Sequence, residues 1–263
     1  MQDLKAILIQ TPLVWENQKA NLDLFDRYFL KIDTQPDLIV LPEMFSTGFT
    51  MNVEKCSEPA EGPSFKYMKN KAAALNSVIT GSILTVDEGR YYNRMYWVRP
   101  DGTSDFYDKR HLFRMGNEHK TITPGNTRKI VELKGWKINL QVCYDLRFPV
   151  WSKNRFEEGQ YKYDLLIYVA NWPAVRRHAY LPLLNARAIE NQACVLWVNR
   201  TGTDGNGIDH SGDTRAIDAK GLPIKEAESY KNQILEVDLS AKQLIDFRNK
   251  FTVGLDWDNF EVY

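Results

Sequence analysis

The 263-residue sequence predicts a layered α/β fold in which two sheets stack between helices. Three observations lead there. Short apolar runs alternate with longer amphipathic segments along the chain. Several runs are continuous in Leu, Ile and Val, as strands covered on both faces require, while others alternate. Hairpin-like pairs of runs interrupt strict strand-helix repetition, which disfavours a closed α/β barrel.

In chain order, residues 4–10 (LKAILIQ) read as a strand and 17–32 as a helix on which Leu22, Phe25, Phe29 and Ile32 recur at helical spacing. The run DLIVLPE is a strand ending at Glu43. A helix over roughly 64–75 precedes the strand VITGSIL, and RMYWVRP closes at an Asp101-Gly102 turn. A less regular stretch follows, carrying YDKRHLF and GNEHK. The strands RKIVEL and WKINLQVC are separated by Lys134-Gly135, a tight turn in which glycine can take positive φ. A short helix is expected after Pro149, then the strand DLLIYVAN. The helix at about 174–193 places Ala179, Leu183, Ala186 and Ile189 on one stripe and feeds the strand VLWVN. TRAID and ILEVD are further strands before a last helix at about 240–248. No repeat, low-complexity region or linker divides the chain, so a single domain over 1–263 is expected. The closing DWDNFEVY is expected to pack along the body or against a second subunit.

Composition removes several classes of function. With 34 basic and 34 acidic side chains the formal net charge is zero, so no broad positive field exists to gather nucleic acid or an anionic membrane. MQDLKAILIQT enters a strand without the features of an export signal, and no apolar run reaches bilayer length, so a cytoplasmic protein is expected. Three cysteines, Cys56, Cys143 and Cys194, with no CxxC pair argue against a disulfide scaffold or a zinc site. Cys56, in polar surroundings, is expected to be exposed, and Cys194 to be a core residue. His111, His119, His178 and His210 lack metal-ligand spacing, so no metal site is expected, and a carbonyl activated by fixed positive and dipolar groups would need neither metal nor organic cofactor. GTDGNG at 202–207 opens no helix and is read as a loop, not a phosphate cradle.

Chemistry concentrates at three places. In KINLQVCYDLRFP, Ile138, Leu140 and Val142 alternate with Asn139, Gln141 and Cys143, so the thiol faces away from the most apolar side chains and sits where a strand meets a turn. There it can act as a nucleophile with backbone N–H groups aimed at a developing oxyanion, although a strand cysteine is most often inert and buried. LIVLPE carries a strand directly to Glu43, which can pass protons if enclosed or merely terminate the strand if exposed. Lys109 in YDKRHLF is a surface lysine by default; beside a thiol it lowers the thiol pKa and stabilises negative oxygen. Glu118 in GNEH is a surface acid unless its loop folds inward. These residues lie too far apart in the chain for spacing alone to bring them together.

Taken jointly, LPEMFSTGF at 41–49, YDKRHLF at 107–113 and CYDLRFP at 143–149 resemble the glutamate, lysine and cysteine segments of the nitrilase-related carbon–nitrogen hydrolase superfamily, in that family's order. GNEH, TPG at 123–125, ANWP at 170–173, LNARAIENQ at 184–192 and VNRTG at 198–202 extend the resemblance over nearly the whole chain. It implies a four-layer α-β-β-α sandwich that pairs through outer helices into homodimers or larger assemblies. It also implies that Cys143 is the nucleophile, Glu43 the general base and later acid, Lys109 the oxyanion-stabilising cation, and Glu118 an additional acid. The Tyr144 backbone N–H becomes a second oxyanion donor, and residues 171–173, including Asn171 and Trp172, form a pocket wall. Tyr144-Asp145 resembles amidase branches rather than nitrile hydrolases. CYDLRFP, ANWP and FRNKFTVGLDWDNF look most like bacterial ω-amidases, which release ammonia from 2-oxoglutaramate or 2-oxosuccinamate.

Such a substrate carries a carboxylate, for which Arg147, Arg176 and Arg114 are candidate partners. Arg147 can equally brace the nucleophile turn through a salt bridge. Alternatives are an amidase for N-carbamoyl groups or general aliphatic amides, and a silent member that only binds or assembles. His210 in HSGDT stands where many relatives carry an aromatic residue, which leaves the preferred acyl group open.

Overall fold

A computed structural model describes residues 1–262. Its main strands are β1 (Leu4–Gln10), β2 (Leu38–Val40), β3 (Val78–Asp87), β4 (Arg90–Val98), β5 (Ser104–Asp108), β6 (Ile130–Leu133), β7 (Trp136–Val142), β8 (Leu165–Ala170), β9 (Cys194–Asn199), β10 (Thr201–Thr203), β11 (Asp209–Ser211), β12 (Arg215–Ile217), β13 (Pro223–Glu226) and β14 (Gln233–Leu239). The main helices are α1 (Gln18–Phe29), α2 (Pro63–Leu75), α3 (Pro149–Ser152), α4 (Arg177–Asn191) and α5 (Ala241–Lys250).

One sheet runs β14-β1-β2-β3-β4-β5, with Glu58–Pro59 paired beside β3; the other runs β13-β12-β9-β8-β7-β6. Each has parallel strands at its centre, β1-β2-β3 and β7-β8-β9, and antiparallel strands at its edges. Alternation in β1 shows why the sheets stack. Leu4, Ala6 and Leu8 point between the sheets against residues such as Trp136, Leu140 and Ile167, whereas Ile7 and Ile9 point outward onto Phe25 and Phe29 of α1 and Met68 of α2. On the far side, Tyr180 and Leu184 of α4 and Leu244 of α5 cover the second sheet. The layers are therefore helix, sheet, sheet, helix. Helix starts follow local chemistry: the Asn17 side chain accepts the Ala20 N–H at 3.0 Å, and Pro63 opens α2.

The carboxyl ends of the central strands of both sheets face one another. Pro12, just past β1, bridges Thr201, just past β9, with the Thr201 N–H donating to the Thr11 carbonyl at 3.1 Å. Loops leaving β2, β5, β7 and β8 therefore converge at one rim.

Several sequence expectations need correction. β2 stops at Val40, so Glu43 sits in the following turn, where Met44 has φ 41°. The charged stretch SDFYD forms β5, a strand hidden by the two aspartates that flank its aromatic pair. GTDGNG is part of a hairpin between β10 and β11. α1 ends at Phe29, before Ile32. The face α4 buries is Tyr180, Leu184, Arg187, Ala188 and Asn191, whereas Ile189 of the expected stripe is 54% exposed. Arg187 and Asn191 turn inward because they are hydrogen-bonded there, Arg187 Nη2 to the Leu146 carbonyl at 2.6 Å and Asn191 Oδ1 to the Asn154 N–H at 2.7 Å. Cys56 is half-buried and Cys194 buried. The described part of the tail packs on the body, with Trp257 edge-on to Tyr161 at 5.7 Å.

Candidate active site

Glu43, Lys109, Glu118 and Cys143 come together at the rim, each at least nine-tenths buried. The backbone dictates where each side chain starts. The Met44 N–H donates to Ser82 Oγ at 2.8 Å, which fastens the Glu43 turn to β3. Lys109 leaves the end of β5 with its N–H on the Asn93 carbonyl at 3.0 Å and its own carbonyl taking the Gly125 N–H at 2.9 Å. Gly125 has no room for a side chain, since a Cβ would lie 2.1 Å from the Asp108 carbonyl oxygen. Glu118 sits in a short 3-10 turn, where its Oε2 accepts the Phe113 N–H at 2.6 Å. Cys143 follows β7 directly and has φ 43°, a left-handed conformation unfavourable for a residue with a Cβ. That kink lifts the thiol out of strand register and opens the 3-10 turn Cys143–Arg147, where the Tyr144 N–H lies among first-turn donors without an intrahelical acceptor.

Lys109 Nζ lies 2.9 Å from Glu43 Oε1 and 3.0 Å from both oxygens of Glu118. Asn93 Nδ2 donates to Glu43 Oε1 at 2.8 Å and to Glu118 Oε1 at 3.3 Å, so the two carboxylates share a cation and an amide. Glu43 Oε2 accepts the Asn171 N–H at 2.7 Å, and Asn171 Nδ2 donates to the Glu43 carbonyl. This contact helps join the two sheets at the site.

The electrostatics follow from one ammonium between two carboxylates. Burial by itself would discharge Lys109, but Glu118 and Glu43, with a smaller contribution from Cys143, hold its pKa above the ordinary lysine value. Burial raises the Glu118 pKa, opposed by Lys109 and reinforced by Glu43. Burial pushes the Cys143 thiol well up, the Glu43 charge adds to this, and Lys109 offsets only part. The expected lowering of the thiol pKa by Lys109 is therefore overridden: burial first, and then the Glu43 charge, favour a protonated thiol at rest.

A cavity of about 620 Å³ opens over Cys143 and Lys109. Asn171, Trp172, Arg147 and Arg176 line it as expected, together with the Tyr144 side chain and His210. The guanidinium of Arg147 lies 5.0 Å from the Trp172 ring centre and that of Arg176 lies 5.1 Å from Phe113. Among the described residues neither has a carboxylate partner, whereas the lining acid Glu16 is engaged by Thr50, Asn52 and Lys55. Arg114 is exposed and does not line the cavity. Among the described residues Arg147 forms no salt bridge to the Cys143 turn; Arg187, through the Leu146 carbonyl, does the bracing. His210 is 2% exposed, and burial followed by the nearby Arg200 charge lowers its pKa to about 4, so it is a neutral wall residue at neutral pH. Among the described residues no cluster of three or more His, Cys, Asp or Glu could hold a metal ion.

Sequence reasoning missed Asn93 and understated Asn171. The signal for Asn93 was a single amide amid the aromatic strand RYYNRMYWV. Asn171 looked like pocket wall but chiefly anchors Glu43.

Comparison with known proteins identifies the family. The carbon-nitrogen hydrolase family model matches residues 5–249. An omega-amidase of Escherichia coli strain K12, YafV, is 46% identical over 263 residues, 100% of both chains. A 2-oxoglutaramate amidase of Bacillus subtilis strain 168 is 28% identical over 249 residues, 93% of this chain and 94% of that one. A crystal structure of a CN-hydrolase superfamily protein from Xanthomonas campestris, with an arsenic adduct in its active site, superposes with a TM-score of 0.97 at 42% identity and 100% coverage of both chains. Motif order, four-layer architecture and full-length similarity together place this chain in the carbon–nitrogen hydrolase family, whose members break carbon–nitrogen bonds such as that of an amide.

Proposed function

We propose that this amide hydrolase acts on the terminal amide of a small 2-oxo acid, 2-oxoglutaramate or 2-oxosuccinamate, and releases ammonia and the oxo-diacid. The observation that carries the reading is a nucleophile-and-acid floor beneath two cavity-lining guanidiniums that lack carboxylate partners. An acyl chain with a carboxylate at its far end can place the amide carbon at Cys143 and the anion at Arg147 and Arg176. The names of the E. coli and B. subtilis relatives point to the same substrate class.

In the proposed cycle Glu43 takes the thiol proton as sulfur attacks the amide carbon, which suits a thiol held protonated at rest. Lys109 and the Tyr144 N–H stabilise the oxyanion. Glu43 returns the proton to nitrogen as the C–N bond breaks, ammonia leaves, and a thioester remains on Cys143. Glu43 then deprotonates water, which adds to the thioester carbon. Collapse expels the sulfur, which regains a proton from Glu43. Glu118 keeps Lys109 charged and oriented through two 3.0 Å contacts.

Steady-state kinetics on 2-oxoglutaramate, glutamine, a carbamoyl amino acid, butyramide and a simple nitrile test the substrate. The highest kcat/KM is expected for 2-oxoglutaramate; a large preference for the carbamoyl compound or for butyramide would overturn the assignment.

The assembly proposed is a homodimer in the cytoplasm. Its support is an outward apolar face on the α4 and α5 layer, with Ile189, Leu222 and Phe251 each more than half exposed and Ile245 at 43%. No described helix is long and apolar enough to cross a membrane.

A further inference from the structure

We propose that Asp145 is a positioning residue that sets the distance and angle between the nucleophile and the oxyanion-binding lysine, a role that rests on the reading of Cys143 and Lys109 given above. The motif residue Asp145 is fully buried and lies two positions after Cys143, yet it faces away from the cavity and does not line it. Each of its oxygens accepts two donors. Oδ2 takes the Val142 N–H at 3.0 Å and the Tyr107 hydroxyl at 2.8 Å. Oδ1 takes the His111 N–H at 3.0 Å and lies 2.7 Å from His111 Nδ1.

The chain positions of these donors carry the argument. Val142 immediately precedes the nucleophile. Tyr107 and His111 lie two residues before and two after Lys109. One carboxylate therefore holds the backbone entering Cys143 and both flanks of Lys109, although these segments come from different sheets. The Tyr107 oxygen in turn accepts the Arg110 N–H at 3.2 Å and Trp151 Nε1 at 2.9 Å, which fastens the residue after Lys109 and the helix after the nucleophile turn to the same point. His111 is wedged flat against Phe148, with ring centres 3.7 Å apart and planes 5° from parallel.

A left-handed cysteine needs such a clamp. The φ of 43° at Cys143 costs free energy and persists only where the surroundings over-determine it. Asp145 pins the entrance of the turn through Val142, and Arg187 pins its exit through the Leu146 carbonyl. With the clamp loosened, the thiol stays on its turn and the ammonium stays between its two acids, but their mutual placement is no longer fixed. The amide carbon can then be attacked without its oxygen meeting Lys109.

The test compares D145N, H111A, Y107F and C143S in the full chain with 2-oxoglutaramate and with iodoacetamide. D145N keeps the shape but turns one acceptor into a donor facing donors. It is expected to lower kcat about 100-fold with KM within about threefold, since a displacement near 1 Å carries a penalty of that order. Alkylation of Cys143 by iodoacetamide should stay within about threefold of wild type, because that reaction needs the thiol but not the lysine. A merely structural role would lower soluble yield and alkylation together with turnover. H111A and Y107F each leave the carboxylate partly paired, so they keep the proposal testable if D145N fails to fold. Each should lower kcat about tenfold, and the double variant should lose less than the product of the two because both act through Asp145. Folded D145N with kcat within threefold of wild type, or wild-type kcat in both H111A and Y107F, would overturn the inference. Turnover by C143S would instead overturn the assignment of the nucleophile on which it rests.

Discussion

Replacing Lys109 with methionine tests the electrostatic logic of the site through stability rather than rate. The substitution removes an ammonium 2.9 Å from Glu43 and 3.0 Å from Glu118, all three side chains being fully buried. At an effective dielectric of about 20 each contact is worth roughly 5 kcal/mol before desolvation is counted. Deleting one partner of a buried pair typically costs about 3–5 kcal/mol, a large share of a domain's total stability of about 5–15 kcal/mol. The two remaining carboxylates share only Asn93 Nδ2 and cannot both stay charged, so at least one takes up a proton. Its folded-state pKa then exceeds its unfolded one. The associated stability is present below the unfolded carboxylate pKa and is lost as pH rises through the raised folded value. In urea unfolding, K109M should therefore be most deficient relative to wild type near pH 8, and the gap should narrow toward pH 5.5. Adding E118Q should return about 2 kcal/mol or more at pH 8, because the variant no longer buries two acids together. A deficit independent of pH, or strictly additive effects of K109M and E118Q, would refute this reasoning.

E43Q should lower amide hydrolysis by about 1,000-fold or more, as expected for loss of a general base. The same variant should alkylate faster with iodoacetamide at pH 8, because the Glu43 charge is one of the causes that hold the Cys143 thiol up; slower alkylation would contradict that. R147Q and R176Q should each raise KM for 2-oxoglutaramate about 10- to 100-fold, the value of a charge-assisted contact, while kinetics on butyramide stay near wild type. Equal losses on both substrates would remove the arginines from carboxylate recognition. I189K, on the outward face of α4, should convert a dimer to a monomer in sedimentation velocity; an unchanged mass would dismiss that face as the interface.

Much of the architecture was legible in the chain because strand and helix periods are local properties. LKAILIQ, WKINLQV and LLIYVA form strands where their apolar pattern put them. What the pattern obscured has identifiable causes. On α4, Arg187 and Asn191 are buried through hydrogen bonds while Ile189 faces out, so apolar periodicity selected the wrong face. β5, with an aromatic pair flanked by two aspartates, lacks a clean apolar alternation and reads as a charged loop, although Tyr107 turns inward to Asp145. The site was legible as three motifs but not as geometry. Glu43 is anchored by an N–H 128 positions away at Asn171, and no local rule reports a contact between two sheets. The sign of the Cys143 shift also depended on structure, since only the fold shows that burial, reinforced by the Glu43 charge, outweighs the lowering by Lys109. Arg114 illustrates the converse: an arginine near a catalytic motif in sequence points to solvent.

Intact-protein and peptide mass spectrometry after rapid quench, during turnover of 2-oxoglutaramate, measures the covalent step directly. The account predicts an acyl adduct, substrate minus ammonia, on the peptide holding Cys143 in the wild-type enzyme and no such adduct in C143S, which should also be inactive. Steady turnover by C143S, or a wild-type enzyme that hydrolyses the amide with no acyl group ever trapped on Cys143, would contradict it.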